Sequence, residues 1–259
     1  MWPRRSPMGA NDAMKRSRRE FLKMAGAAAA GVVLAGRPFA ARAAAGGSGR
    51  GMKIGIIGSG RIGGTLGGHW VKAGHEVLLS ARNLGPVRKL AADLGPRARA
   101  GTSKEAAVFG EVVLVSVPYS ALPQLGRDLA GELRGKVVLD TCNPIPRRDG
   151  DMAVAARAKG TGMASPEFLP GVRLVRAFNT VSYRALRSEA HRRGEKVAIP
   201  LAGDDEAALK IAARLVEDAG FDPVVVGGLA RAIEFDTGTP AYGKALTARE
   251  LRQRLKIGS

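Results

Sequence analysis

Short apolar runs alternate with amphipathic stretches along most of this chain. Residues 52–57 form an apolar run that leads straight into a glycine-rich turn, and residues 64–73 then repeat apolar positions at helical spacing. Further runs at 76–80, 97–100, 111–117 and 136–140 read as strands, with a helix around 86–94 after the second of them. A less regular stretch covers 147–169. Runs at 172–178, 197–202 and 221–226 supply a sixth, seventh and eighth strand, and an amphipathic helix at 204–219 begins at Asp204 and Asp205, which suit a helix N-terminus. Runs of four to eight residues without polar alternation are what strands buried on both faces require. The pattern therefore predicts an α/β fold, a Rossmann-like doubly wound, mostly parallel sheet in a single domain over 52–226. A helical or irregular tail at 227–259 follows, and no internal repeat is visible.

The N-terminal 45 residues break this pattern. Ser17, Arg18, Arg19, Glu20, Phe21, Leu22 and Lys23 precede an apolar, alanine-rich run over 24–36 and then small residues around Ala43. That order is the layout of a twin-arginine export signal. A basic helix or a membrane anchor is the alternative, but the apolar run is about a dozen residues, short of the roughly 20 needed to span a bilayer. The expectation is an exported, periplasmic protein that meets the twin-arginine export machinery, with a flexible Gly/Ser junction at 46–51.

Composition narrows the chemistry. The 259 residues are 45% hydrophobic, enough for one sizeable core. Basic residues outnumber acidic ones 41 to 23, a net charge of +18, but the first 45 residues contribute +7 of it. The remaining arginines, such as Arg61, Arg82, Arg127 and Arg173, are scattered, and aromatics make up 5%. No basic and aromatic interleaving of the kind that stacks bases is present, so no nucleic-acid partner is expected. One cysteine, Cys142, and three histidines, His69, His75 and His191, give no metal-ligand set and no intrachain disulfide. Cys142 has no histidine nearby in sequence and reads as packing rather than as a nucleophile.

The turn after the first strand carries the strongest signal. Gly58, Ser59, Gly60, Arg61, Ile62 and Gly63 match the GxGxxG spacing between a strand and a helix. The first glycine allows the tight turn, the second lets backbone approach a pyrophosphate, and the third lets helix and strand pack closely. The end of the second strand then selects the dinucleotide. An NAD site places a carboxylate there, whereas this chain has Ser80, Ala81, Arg82 and Asn83. A hydroxyl and a guanidinium with no opposing acid favour the 2′-phosphate of NADP(H), although Arg82 also reads as a solvated loop charge. The other strand ends that face a ligand are 116–119, 141–144 and 177–181. Pro118 shapes a tight exit there, and the Asn143 and Asn179 amides are able to orient a carboxamide. Asn and Pro also serve ordinary turns, so both readings stand.

Taken together, residues 52–64, the Ser-Ala-Arg-Asn at 80–83, Val117-Pro118, Asn143-Pro144, Ala177-Phe178-Asn179-Thr180-Val181 and the tail at 238–244 resemble the coenzyme F420-dependent NADP oxidoreductase family. The resemblance runs from about residue 52 to the end. It implies an NADP(H)-dependent oxidoreductase that exchanges hydride with a planar redox carrier, coenzyme F420 or a flavin. Carried over, Gly58 to Gly63 take the pyrophosphate, Ser80, Arg82 and Asn83 the 2′-phosphate, Val117 and Pro118 flank the nicotinamide ribose, and Asn179 lies near the ring. Transfer between two flat rings needs stacking and exclusion of water more than a side-chain base, so no catalytic acid or base is expected.

Two other readings remain. Reductases of imines or small hydroxy acids usually add a helical domain of about a hundred residues. About thirty residues follow the last strand here, so that reading requires a homodimer to complete the site. A non-catalytic, exported NADP-binding sensor or assembly module is the third.

Overall fold

The computed structural model describes residues 51–258. The export-signal segment and residues 46–50 of the junction lie outside the described residues. Eight strands form one sheet in the order β3-β2-β1-β4-β5-β6-β7-β8. They are β1 (Lys53–Ile57), β2 (Glu76–Ser80), β3 (Ala98–Gly101), β4 (Val112–Val115), β5 (Val137–Asp140), β6 (Arg173–Arg176), β7 (Ala198–Gly203) and β8 (Asp222–Gly227). The first six are parallel, whereas β7 runs antiparallel to β6 and β8 pairs parallel with β7. The sheet is therefore mostly parallel, as its Val/Ile/Leu runs demand. In β4 and β5 every residue is buried, because helices cover both faces.

One face is covered by α1 (Arg61–Lys72), α2 (Leu84–Leu94), α9 (Tyr183–Ser188) and α10 (Glu206–Asp218), which bury Leu66, Trp70, Leu186 and Leu215 with Ile56 and Leu79 of the sheet. Trp70 sits edge-on to Phe178 and donates its indole N–H to Leu215 O at 2.8 Å. The other face carries α3 (Ser103–Phe109), α4 (Leu122–Asp128), α5 (Ala130–Leu133), α6 (Pro146–Asp149), α7 (Asp151–Lys159) and α8 (Thr161–Phe168). Each side of the sheet thus has its own apolar layer.

Two expectations need correction. Helix α1 begins at Arg61 rather than near residue 64, so the last residues of the glycine motif are its first turn. The stretch 147–169 is not irregular but holds three short helices, α6 to α8. Gly150 and Gly160 separate them with φ of +67° and +83°, a left-handed backbone that favours glycine. Their buried faces are made largely of small residues, Ala153, Ala156 and Ala164, which leave little amphipathic signal.

The tail packs back on the sheet. A 3-10 helix (Leu229–Phe235) and α11 (Ala248–Arg254) bury Phe235, Leu251 and Leu255 against Ala202, Val224 and Val226. No helix among the described residues is long and apolar enough to cross a membrane.

Candidate dinucleotide site

The glycine motif is shaped by what surrounds it. Gly58 has φ +98°, and a Cβ there would lie 2.2 Å from Ser116 O, so β4 excludes any side chain. A Cβ on Gly63 would lie 2.3 Å from Gly58 O, because α1 is pressed against the turn. At Gly60 a Cβ would meet nothing within 4 Å, so the backbone there is bare and open. Gly60 also caps α1 with no side-chain hydrogen bond, and no acidic residue stands in the first turn. The helix therefore presents its first N–H groups and the positive end of its dipole without internal neutralisation. An open glycine backbone at an uncapped helix start fits a pyrophosphate.

From this turn a cleft of about 720 Å³ opens between the exits of β1, β2 and β4. Six of the residues singled out in sequence line it: Gly58, Ser59, Gly60, Arg82, Val117 and Pro118. Arg82 is exposed and has no hydrogen-bond or ion-pair partner among the described residues, which leaves its guanidinium available at the β2 exit. No carboxylate stands beside it on residues 80–83. That donor set fits a 2′-phosphate.

The structure uses the other residues differently. Ser80 is fully buried, and its hydroxyl donates to Ile56 O at 2.8 Å, so it stitches β2 to β1 instead of reaching the cleft. Its carbonyl accepts from Gly58 N at 3.0 Å, Ser59 N at 2.8 Å and the Ser59 hydroxyl at 3.0 Å, which fixes the turn. Asn83 caps α2, accepting from Gly85 N at 3.1 Å. Arg61 lies over the Tyr183 ring, 4.9 Å from its centroid, and lines a separate groove on the outer side of α1. Ile62 packs on the core.

Sequence reasoning missed the far wall. Ser103 at the start of α3, and Ala121, Gln124, Leu125, Asp128 and Leu129 of α4 and its flanks, complete the cleft. The spacing of the α4 positions is that of one helical face, which was the available signal.

At the other end of the site, Asn143 and Asn179 are brought together but not into the cleft lining. Asn143 Nδ2 donates to Asn179 O at 2.8 Å, and Asn179 Nδ2 donates to Phe235 O at 3.4 Å. Beneath them Arg176, fully buried, pairs with Asp140 at 2.8 Å and with Asp236 at 3.5 Å, and also donates to Cys142 O at 2.9 Å. Burial opposes the charge on Arg176, but the two carboxylates outweigh it and hold the guanidinium protonated. Burial pushes the Cys142 thiol well up, with the Asp140 charge adding to the effect. Burial likewise pushes the Tyr119 phenol up to about 12, although its hydroxyl lies 3.2 Å from Ser165 Oγ. Both groups are neutral at physiological pH, so neither is a nucleophile or base there.

Asp149 joins two of the loops at this end. It accepts from Ser120 N at 3.2 Å and Ile145 N at 2.9 Å, and it pairs with Arg148 at 2.8 Å. Burial raises its carboxyl, but the Arg148 bond and the two backbone N–H bonds outweigh this and bring it down to about 2. Arg148 also donates to Asn143 O at 2.8 Å. Among the described residues no group of His, Cys, Asp or Glu is placed to hold a metal ion.

The chain resembles known proteins in this same region. The family model for coenzyme F420-dependent NADP oxidoreductases matches residues 53–144, from β1 to just past β5. Metalloreductase STEAP3 of Rattus norvegicus is 31% identical over 188 residues, and the chain spans 36% of that protein's length. Among solved structures, a hypothetical protein from Sinorhizobium meliloti superposes with a TM-score of 0.64 at 24% identity, covering 76% of this chain and 95% of that one. An imine reductase from Myxococcus stipitatus gives 0.51 at 19% identity, covering 69% and 56%. These two structural likenesses are to the fold. The F420-dependent NADP reductase of Methanothermobacter thermautotrophicus is 30% identical over 205 residues, 73% of this chain and 87% of that enzyme. With the family's model lying on the glycine turn and the likeness covering most of that reductase, this chain belongs to the coenzyme F420-dependent NADP oxidoreductase family and is an NADP-dependent oxidoreductase.

Proposed function

We propose that this protein exchanges hydride between NADP(H) and a planar redox carrier, coenzyme F420 or a flavin. One observation carries the choice of acceptor. The likeness to an F420-dependent NADP reductase extends over 73% of this chain and 87% of that enzyme, and it favours a flat carrier ring over an imine or a carbonyl. Hydride added to any of these acceptors is completed by a proton, and exchange between two flat rings calls in addition for close stacking in a dry slot.

In this reading the glycine turn and the open start of α1 bind the pyrophosphate, and Arg82 binds the 2′-phosphate. The Ala81 side of β2 and the Leu125 face of α4 enclose the adenosine. Val117 and Pro118 direct the ribose toward the β4 and β5 exits. When bound, the nicotinamide supplies the two-electron chemistry. The chain's own residues orient it and exclude water, and Asp149 keeps the two flanking loops in register.

We also infer that the protein works outside the cytoplasm. The paired Arg18 and Arg19, followed by Phe21, Leu22 and a short apolar run, support this reading. An Arg18→Lys/Arg19→Lys precursor is expected to stay in the cytoplasm while the unaltered one reaches the periplasm. Equal distribution of the two, followed by cell fractionation, would remove the proposal.

The activity test mixes purified protein with NADPH and, in parallel, F420 or FMN, and follows the nicotinamide and carrier absorbance bands. Coupled loss of both bands is expected in at least one arm. NADPH fluorescence that shifts without turnover in either arm would point to a non-catalytic binding module. Turnover of a cyclic imine alone would favour an imine reductase.

A further inference from the structure

The dinucleotide cleft holds a charge that a polyanionic ligand does not call for. NADP(H) brings a pyrophosphate and a 2′-phosphate, which the bare start of α1 and the unpaired Arg82 suit. Asp128, at the end of α4, is the one carboxylate among the residues that line this cleft. Like charges set side by side weaken binding, so a carboxylate in this position needs a reason of its own.

Its neighbours orient it. Gln124 Nε2 donates to Asp128 Oδ1 at 2.6 Å, and Arg127 donates to Gln124 Oε1 at 2.6 Å. Gln124, one turn earlier on the same helix face, thus takes up the Arg127 guanidinium and leaves the carboxylate without an ion pair. Among the described residues Asp128 Oδ2 has no hydrogen-bond partner, and Arg82, which lines the same cleft, makes no ion pair with it. An ionised carboxylate accepts hydrogen bonds and donates none. It therefore suits this ligand only where the ligand itself donates.

The adenosine half of NADP(H) offers two donors, the 6-amino group of adenine and the ribose 3′-hydroxyl. The base and the 2′-phosphate hang from one ribose, so a 2′-phosphate on Arg82 places the base in the same part of the cleft. There Ala81 on one side and Leu125 and Leu129 on the other supply apolar surface for the faces of a ring. Asp128 follows Leu125 by three positions, on the same helix face, and supplies a fixed acceptor on that wall. We propose that Asp128 accepts from the adenine 6-amino group, so that the cleft selects the base as well as the 2′-phosphate. The inference rests on the placement of the 2′-phosphate at Arg82. Carboxylates accept from the exocyclic amino groups of nucleic-acid bases in the same way. A base with a 6-carbonyl sets oxygen against oxygen and is disfavoured.

The test uses reduced nicotinamide hypoxanthine dinucleotide phosphate, in which a 6-carbonyl replaces the amino group of NADPH. Both nucleotides are titrated into the full protein, and binding is read by dihydronicotinamide fluorescence. The unaltered protein is expected to bind the hypoxanthine form about fivefold or more weakly, the scale of one lost hydrogen bond. Asp128→Asn, whose amide can donate to a carbonyl, is expected to bring the two affinities within about twofold of each other. Asp128 is exposed, so the melting temperature of the variant should hold. Its preference for NADPH over NADH should hold as well, since Arg82 is unchanged.

Equal affinity of the unaltered protein for the two nucleotides would overturn the proposal. Discrimination that persists in Asp128→Asn would assign the reading to another group of the cleft, such as the Ser103 hydroxyl, and overturn it equally. In either case the placement at Arg82 stands if Arg82→Ala weakens NADPH and not NADH, and this inference alone falls. If Arg82→Ala weakens both alike, the placement falls and takes this inference with it.

Discussion

The two ends of the site are built by opposite means. At the phosphate end, the turn at Gly58–Gly63 is made of backbone, opens to solvent at Gly60 and rests on the uncapped start of α1. At the β5 and β6 exits, Arg176, Asp140, Asp236 and the asparagines form a side-chain network that is almost wholly buried. The turn is encoded by a short run of sequence, and the Ser80 carbonyl of β2 and Ser116 beyond β4 then hold it in place. A buried network exists only when strands β5 and β6 and the tail have all assembled.

Arg176→Met should give the largest effect. It strands two buried carboxylates and should cost about 3–5 kcal/mol of stability. Urea unfolding would show it, and a cost below about 1 kcal/mol would mean the β5 and β6 exits do not depend on these ion pairs. Next comes the contrast within the glycine motif. Gly63→Ala drives a methyl group to 2.3 Å from Gly58 O, an overpacking expected to cost about 1–3 kcal/mol along with NADPH binding. Gly60→Ala meets nothing within 4 Å, so its stability should stay within about 0.5 kcal/mol while NADPH affinity falls. If both variants behave alike in calorimetry, the division of labour among the glycines is wrong.

Arg82→Ala should weaken NADPH about tenfold and leave NADH within about twofold, because only NADPH carries the extra phosphate. Titration of each nucleotide decides it, and equal losses would end the selectivity argument. The smallest effect is that of pH. Asp149 titrates in the folded state near 2, below the usual carboxylate value of about 3.9. A depressed folded value contributes stability that is present above about pH 4 and is lost as pH falls toward 2. Melting curves from pH 5 to pH 2 should therefore drop less steeply over that window for Asp149→Asn than for the unaltered protein.

Much of the phosphate end was legible because its signals are local. The run into Gly58, the spacing to Gly63, and an Arg where a carboxylate would select NAD all lie within about 30 residues. Ser80 misled because the direction of its side chain depends on pairing with β1, where its hydroxyl finds Ile56 O. The helices at 146–168 were hidden by small buried residues and by Pro166 within α8. The direction of β7 carries no sequence signal, since an apolar run reads the same in a parallel or an antiparallel neighbour.

The sequence by itself determined the strands, the glycine turn and the cationic β2 exit, because each follows from periodicity or from a residue type at a fixed spacing. Only the tertiary structure decided that α4 walls the cleft, that Asp149 reaches Ser120, and that the tail meets Asn179 through Phe235 O. The last two contacts span 29 and 56 positions along the chain. A contact of that reach is set by how layers pack, and no short window of residues records it.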